Sequence, residues 1–382
     1  MKYFLIVLLA LCISGCTTKY QHVEFNGAAK GVKNGVFIIK DYKKNAIYGV
    51  NIKDGKFHIE SKVLEVPGYY MMDITDDASP QDQHKPFEIY LEDGKYTIEA
   101  EAGKLANYPK VTAPSSTTQQ QLNSFYTAAD QMNGDLNQEL AELYAKVNSK
   151  ATNALPKDQF NALLNSVSEL EGKKYGIVEK AFDKYVTDNP QNTIGAHIML
   201  RQDYESDPVF YNQIYQKLTP AVKATEDGKE IGDKLSKLVK LVPGHEAPAI
   251  EGKLISGKAF DPKGMHKKIF LIDFWRAGNQ VARINHAEIK TMLKDFGKSG
   301  FEVISVSMDT KKDWWTTAVN EDKITWTQVS DLKGDDSPNT QNWSVARLPR
   351  YDLVDGNWQM IERDVSFGQV YLDVEQYLKK HP

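Results

Sequence analysis

The hydrophobic period of this 382-residue chain changes twice, so its three stretches cannot be parts of one regular fold. From about residue 20 to 105, apolar residues alternate. Tyr48, Val50 and Ile52 precede Asp54-Gly55, and Phe57 and Ile59 follow it. Phe87, Ile89 and Leu91 precede Asp93-Gly94, and Tyr96 and Ile98 follow it. Alternation marks strands with one buried face. Asp-Gly between two such runs is a strong hairpin signal, because glycine accepts positive φ. The segments IKDGKFHIE and LEDGKYTIE also resemble each other. Two similar hairpins in one antiparallel sandwich are expected, rather than a solenoid, because the spacing does not recur.

From about 115 to 240 the spacing becomes three and four. Leu122, Phe125, Ala129, Met132, Leu136, Leu140 and Leu143 follow it, as do Phe160, Leu163, Val167 and Leu170. These stripes predict helices packed on one another rather than a cofactor box. The run from Pro114 to Thr118 reads as linker and helix cap, and Asn189-Pro190 as a helix stop. From 243 onward the pattern changes again. IFLIDF over 269–274 is a continuous apolar run, as in a parallel strand buried on both faces. A helical stripe of Ile289, Met292, Leu293 and Phe296 follows, then a strand over 301–307, which makes a βαβ unit. A hairpin at Asp355-Gly356 and an amphipathic helix over 371–380 complete the region, which holds all six tryptophans. The expected architecture is multidomain, with an antiparallel β domain over 16–110, a helical domain or spacer over 111–242 and an α/β domain over 243–382.

The first residues read as an address. Lys2 precedes an 11-residue apolar run over 3–13, the length of a signal-peptide core and too short to span a bilayer. Ile13-Ser14-Gly15-Cys16 then resembles the bacterial lipobox, in which cleavage exposes a cysteine that carries lipid. Residues 1–15 are thus expected to be a signal peptide and Cys16 the lipidated residue, with two or more acyl chains giving stable anchorage. The chain has only two cysteines, Cys12 and Cys16. The folded part is therefore expected to hold neither a free thiol nor a disulfide. Charged residues make up 26% and the net charge is −4, so there is no basic footprint for nucleic acid.

From 243 the residues carry a family likeness. PGHEAPAIEG, KKIFLIDFWRAGNQVAR, GFEVISVSMDT, ITWTQVSDLKG and VARLPRYDLVDG resemble, in order, the landmarks of TlpA/ResA-like thiol–disulfide oxidoreductases of the thioredoxin superfamily. The segment before them is similar to the N-terminal part of Bacteroidota lipoproteins that carry such a module. The resemblance implies a thioredoxin-like fold over 243–382. It places Asn279 at the nucleophilic cysteine, Ala282 at the resolving cysteine, Asn285 at a common Glu and Ala287 at a common Pro. It also implies a cis-proline loop at Leu348 and Pro349, and a buried acid at Asp273. Thiol exchange needs an attacking thiolate and a second thiol to resolve the mixed disulfide. Asn279 offers none and reads instead as a helix cap. A peroxiredoxin reading fails for the same reason.

Other chemistries find little footing. P-loop, dinucleotide-binding, HExxH and nucleophile-elbow motifs do not occur, and no two of the eight histidines stand at metal-ligand spacing. Asp73, Asp76 and Asp77 read as a solvated loop rather than a cation site. Arg276, Arg283, His286 and Arg350 suggest either a cationic pocket or separate surface charges. No catalytic residue, metal or cofactor is expected. Two functional readings follow. In the first, a redox-inactive lipoprotein binds a polypeptide or small ligand in the old groove, with Trp275, Leu348 and Pro349 supplying contacts, on the periplasmic face of the outer membrane. In the second, an enzyme of the oxidoreductase family keeps a residual or repurposed activity, or borrows thiols from a partner.

Overall fold

A computed structural model of the chain describes residues 21–79 and 84–382. The expected signal segment and Cys16 lie outside the described residues. The chain divides into two compact units, Met1–Gly195 and Ala196–Pro382, so the division falls within the helical stretch 111–242.

In the first unit, β1 (Gln21–Lys30), β2 (Asn34–Lys40), β3 (Ala46–Lys53), β4 (Lys56–Leu64), β5 (Gly68–Ile74), β6 (Phe87–Leu91), β7 (Gly94–Glu101) and β8 (Lys110–Thr112) form one eight-stranded sheet. Its order is β6-β5-β2-β3-β4-β1-β7-β8. The expected alternation is real. Phe25, Phe37, Phe57 and Tyr96 all point to one buried face, where the Phe37 and Phe57 rings stack at 4.5 Å. The Asp54-Gly55 hairpin forms between β3 and β4.

The second Asp-Gly does not close a hairpin. β6 pairs with β5, while β7 pairs in parallel with β1 from Val23↔Gly94 to Lys30↔Glu101. β1 occupies the edge that β6 needed, so the sheet is antiparallel except at this pair. The Asp93-Gly94 corner is tied to other segments: Asp93 accepts from the His22 N–H at 2.8 Å, and Ser115 donates to the Asp93 carbonyl at 3.1 Å.

Helices α1 (Thr117–Asn133), α2 (Leu136–Val147) and α3 (Lys157–Asp188) follow in the same unit. Ser116 caps α1 by accepting from the Gln119 N–H. Gln119 is itself buried, accepting from the Tyr90 N–H and donating to the Tyr108 hydroxyl, and so fastens α1 to the sheet. Phe125 of α1 meets Phe182 and Tyr185 of α3 edge-on.

The second unit begins with α4 (Gly195–Leu200), α5 (Pro208–Lys217), α6 (Pro220–Lys223) and α7 (Glu226–Leu238). Its sheet comprises β9 (Lys253–Leu254), β10 (Ile269–Trp275), β11 (Phe301–Ser307), β12 (Thr327–Ser330), β13 (Arg350–Asp355) and β14 (Met360–Glu362), in the order β14-β13-β10-β11-β12-β9. β10, β11 and β12 run parallel, and β13 pairs with β10 antiparallel. Helices α8 (Gln280–Phe296), α9 (Lys312–Glu321), α10 (Pro338–Asn342) and α11 (Phe367–Lys380) complete it. Every residue of β10 is buried because both faces are covered. Phe270, Ile272 and Phe274 pack with Ile304, Val306 and Trp343. Ile269 and Leu271 pack on the other face with Ile289, Met292, Val370 and Val374. Asp273 and Trp275 continue the second face, the one that α8 covers.

Candidate functional site

β10 delivers the chain to a short loop, and Asn279 starts α8 in an extended conformation, φ −89° and ψ 106°. Its side chain works in two directions. Oδ1 accepts from the Ala282 N–H at 3.1 Å, capping the helix, while Nδ2 donates to the Leu348 carbonyl at 3.0 Å. The Leu348-Pro349 peptide is cis. One side chain thus joins the helix start to the loop before β13.

The loop between β10 and α8 is held by groups on β11 and beyond. Asp309 accepts from the Ala277 N–H at 3.0 Å and from Ser307 Oγ at 2.9 Å. Arg276 Nε donates to the Met308 carbonyl at 3.0 Å, and its guanidinium pairs with Asp335 at 2.8 Å. Beside Leu348 lies a cavity of about 230 Å³, lined by Arg276, Met308, Thr340, Val345 and Ala346 among others.

Four sequence-based expectations are corrected. Trp275 is fully buried, packed edge-on against His286 at 4.7 Å between ring centroids, and contributes nothing to a surface groove. Continuing a strand covered on both faces leaves its indole no path to solvent. Arg276, Arg283, His286 and Arg350 do not form a cationic pocket, since each is paired with a carboxylate, Arg283 and His286 sharing Asp322. Arg283 pairs with Asp322 at 2.6 Å and Glu321 at 2.9 Å, His286 Nδ1 meets Asp322 at 2.8 Å, and Arg350 meets Asp352 at 2.8 Å. Nor are His286 and Arg350 surface charges, because both are buried. Asp73 is likewise not in a solvated loop: it is buried in β5 and bonded to His84 at 2.8 Å.

Asp273 is fully buried below the helix start. Burial pushes its carboxyl up to about 7, against a hydrogen bond from Ser305 Oγ at 2.6 Å. Burial also lowers the His286 pKa, while Asp322 pulls it back up. Although burial pushes the Asp322 carboxyl up, hydrogen bonds from Arg283 and His286 hold it below the usual range. Asn285 donates to the Tyr351 hydroxyl at 3.0 Å. Ala282 is buried beneath Trp275 and Trp315, whereas Leu348 and Pro349 are half-buried.

Two residues that sequence reasoning passed over stand out at this end of the module. Val281 and Ile284, on the first turns of α8, are 57% and 72% exposed. Their spacing of three puts them on the outer face of a helix whose inner face is Ala282, His286 and Ile289. Apolar residues on the polar side of an amphipathic stripe were the available signal.

Residues 243–346 match the model of the AhpC/TSA family. No curated protein matches the chain. Among solved structures, it is similar to the thioredoxin domain of a thiol-disulfide oxidoreductase from Bacteroides vulgatus, at 28% identity over 36% of this chain and 99% of that one, with a TM-score of 0.34. It is also similar to a thiol:disulfide interchange protein from a Bacteroides species, at 28% identity over 37% of this chain and 92% of that one, TM-score 0.34. A DsbE-type thiol:disulfide interchange protein from Chlorobium tepidum is 20% identical over 37% of this chain and 97% of that one, TM-score 0.33. With the parallel β10-β11-β12 core, the helix that starts at Asn279 and the cis-proline loop opposite it, the family match makes the region from 243 onward a thioredoxin-like module of the thioredoxin superfamily.

Proposed function

We propose that this chain is a lipoprotein of the bacterial envelope, anchored through Cys16 to the periplasmic face of the outer membrane, whose thioredoxin-like module does no thiol–disulfide chemistry and instead holds an extended polypeptide. The observation that carries the reading is the double bonding of Asn279, which caps α8 and fastens the Leu348 carbonyl. A side chain occupies the place where the family's attacking thiolate would stand. Since the sequence holds no cysteine after Cys16, neither half of an exchange reaction is supplied.

The same end of the module suits strand addition. A carbonyl has two lone pairs, so the bond from Asn279 leaves the Leu348 oxygen one acceptor site. An extended peptide pairing with this loop can use it, as sheet-edge recognition does elsewhere. Val281 and Ile284 offer exposed apolar contact, and the cavity beside Leu348 is of a size to take one side chain.

The test has two arms. A photoreactive residue at position 281 in intact cells should capture a discrete polypeptide that the same residue at Lys298, just past the far end of α8, does not. In solution the wild type should leave insulin disulfides intact. Asn279→Cys with Ala282→Cys should form a disulfide and gain measurable reductase activity, since a helix start lowers a thiol's pKa. Turnover by the wild type above the uncatalysed rate would refute the non-redox reading. Equal capture at both positions would refute the binding reading.

A further inference from the structure

The first unit holds a cavity that the reading above does not use. Its sheet does not close on itself. Residues of β5 and β6 at one end, and of β1, β7 and β8 at the other, line a single cavity of about 620 Å³, with α1 and the 104–110 loop across it. That is a usual size for a small-molecule site, and the unclosed mouth of a curved sheet is a usual place for one.

The walls are apolar, built from Met72, Ile74, Phe87, Leu105, Tyr108 and Pro109. The charges are unevenly satisfied. At the rim, Lys104 pairs with Glu101 at 3.1 Å and Lys110 with Glu99 at 3.0 Å. Lys85 and Lys174 differ: among the described residues neither has a carboxylate within ion-pair distance. Lys85 lies at the mouth, its Nζ 5.4 Å from the centroid of the Phe87 ring. Lys174 of α3 is half-buried and within reach of the charges of both Lys85 and Asp130. Asp130 attracts both amines without forming an ion pair with either, and it is one negative charge against two positive ones. Its Oδ2 accepts from the Tyr108 N–H at 2.6 Å and its Oδ1 from Asn137 at 2.7 Å. Burial lowers the pKa of both amines, and repulsion from Lys85 adds to burial in bringing Lys174 down to about 8. Two amines that among the described residues lack an ion-pair partner, with one carboxylate acting on both, leave an excess of positive charge that an added negative charge would balance.

We propose that this seam is a binding site for a small amphipathic carboxylate, its head at Lys85, where Lys174 of α3 adds to the positive charge, and its apolar tail against Met72, Ile74 and Phe87. The ligand class follows from charge complementarity at the mouth and apolar walls behind it. The site is independent of the thioredoxin-like module.

The experiment uses the full chain carrying Cys16→Ser, purified without detergent so that neither acyl anchor nor detergent competes. Decanoate is titrated by calorimetry, with decyltrimethylammonium as the same tail under the opposite head and acetate as the head without the tail. Decanoate should bind saturably below about 1 mM, at least about tenfold more tightly than either control. Lys85→Gln with Lys174→Gln should weaken decanoate by about tenfold or more while leaving the far-ultraviolet spectrum unchanged. Ala100→Phe, at a lining position with a small side chain, should fill the cavity and abolish binding. Equal binding of decanoate and decyltrimethylammonium would overturn the proposal. So would undiminished binding by the double lysine variant, or no saturation by decanoate.

Discussion

His286 Nε2 stands 3.8 Å from Asp273 Oδ2 in the interior of the thioredoxin-like module, and among the described residues neither this nitrogen nor Asp273 Oδ1 has a hydrogen-bond partner. Among the same residues the indole N–H of Trp275 also lacks an acceptor. A group left so poorly solvated favours its neutral form.

The consequence is a pH dependence with a definite sign. The folded pKa of Asp273, about 7, exceeds the unfolded value of about 3.9. The folded state therefore binds this proton more tightly, and the contribution of Asp273 to stability falls as pH rises from about 4 to 7. His286, with its pKa lowered by burial, acts oppositely: its contribution is lost as pH falls below about 6.5. Asp273→Asn removes the first effect. The variant should gain stability over the wild type between about pH 4 and 8, by an amount on the order of a few kcal/mol. Denaturation followed by tryptophan fluorescence reads this unit selectively, because all six tryptophans lie in it. A stability difference that stays constant with pH, or a carboxyl midpoint near 4 by NMR, would contradict the assignment.

The two bonds of Asn279 can be separated. Asn279→Ala loses both and should destabilise the second unit by about 1–2 kcal/mol. Asn279→Asp keeps an acceptor for the Ala282 N–H but has no donor for the Leu348 carbonyl, and should lose less. Equal losses in guanidinium denaturation would mean that the cap contributes nothing beyond the loop bond.

Arg350 and Asp352 form a fully buried pair, with further bonds from Arg350 to the Ser344 carbonyl and from the Asp364 N–H to Asp352. Arg350→Met leaves a fully buried carboxylate without its paired cation, at a loss of about 3–5 kcal/mol. Adding Asp352→Asn removes that charge and should recover part of the loss. Failure of the second substitution to help would place the defect in packing rather than charge.

Anchorage through Cys16 is tested by fractionation. The wild type should carry acyl mass and partition into the detergent phase, and Cys16→Ser should appear in the aqueous phase at comparable abundance. A wild type that is already aqueous and lacks acyl mass would rule the anchor out.

Much of the fold was legible because its signals are local. Period two marked the strands of the first unit, period 3.6 marked α1 and α3, and the six-residue apolar run announced β10 as a strand covered on both faces. Asn279 as a helix cap was legible for the same reason, since its partner is three residues away. What the tertiary structure alone decided was pairing at a distance. Asp93-Gly94 looks like Asp54-Gly55, yet only the latter turns a hairpin, because β1 takes the edge of β7. Arg283 finds Asp322 across 39 residues, and Arg276 finds Asp335 across 59. Asn279 reaches Leu348 across 69. Periodicity tells a residue which face it occupies, but which partner covers that face is set by the packing of segments far apart in the chain. That packing buried Trp275, His286 and Arg350, and left Lys85 and Lys174 without an ion-pair partner among the described residues.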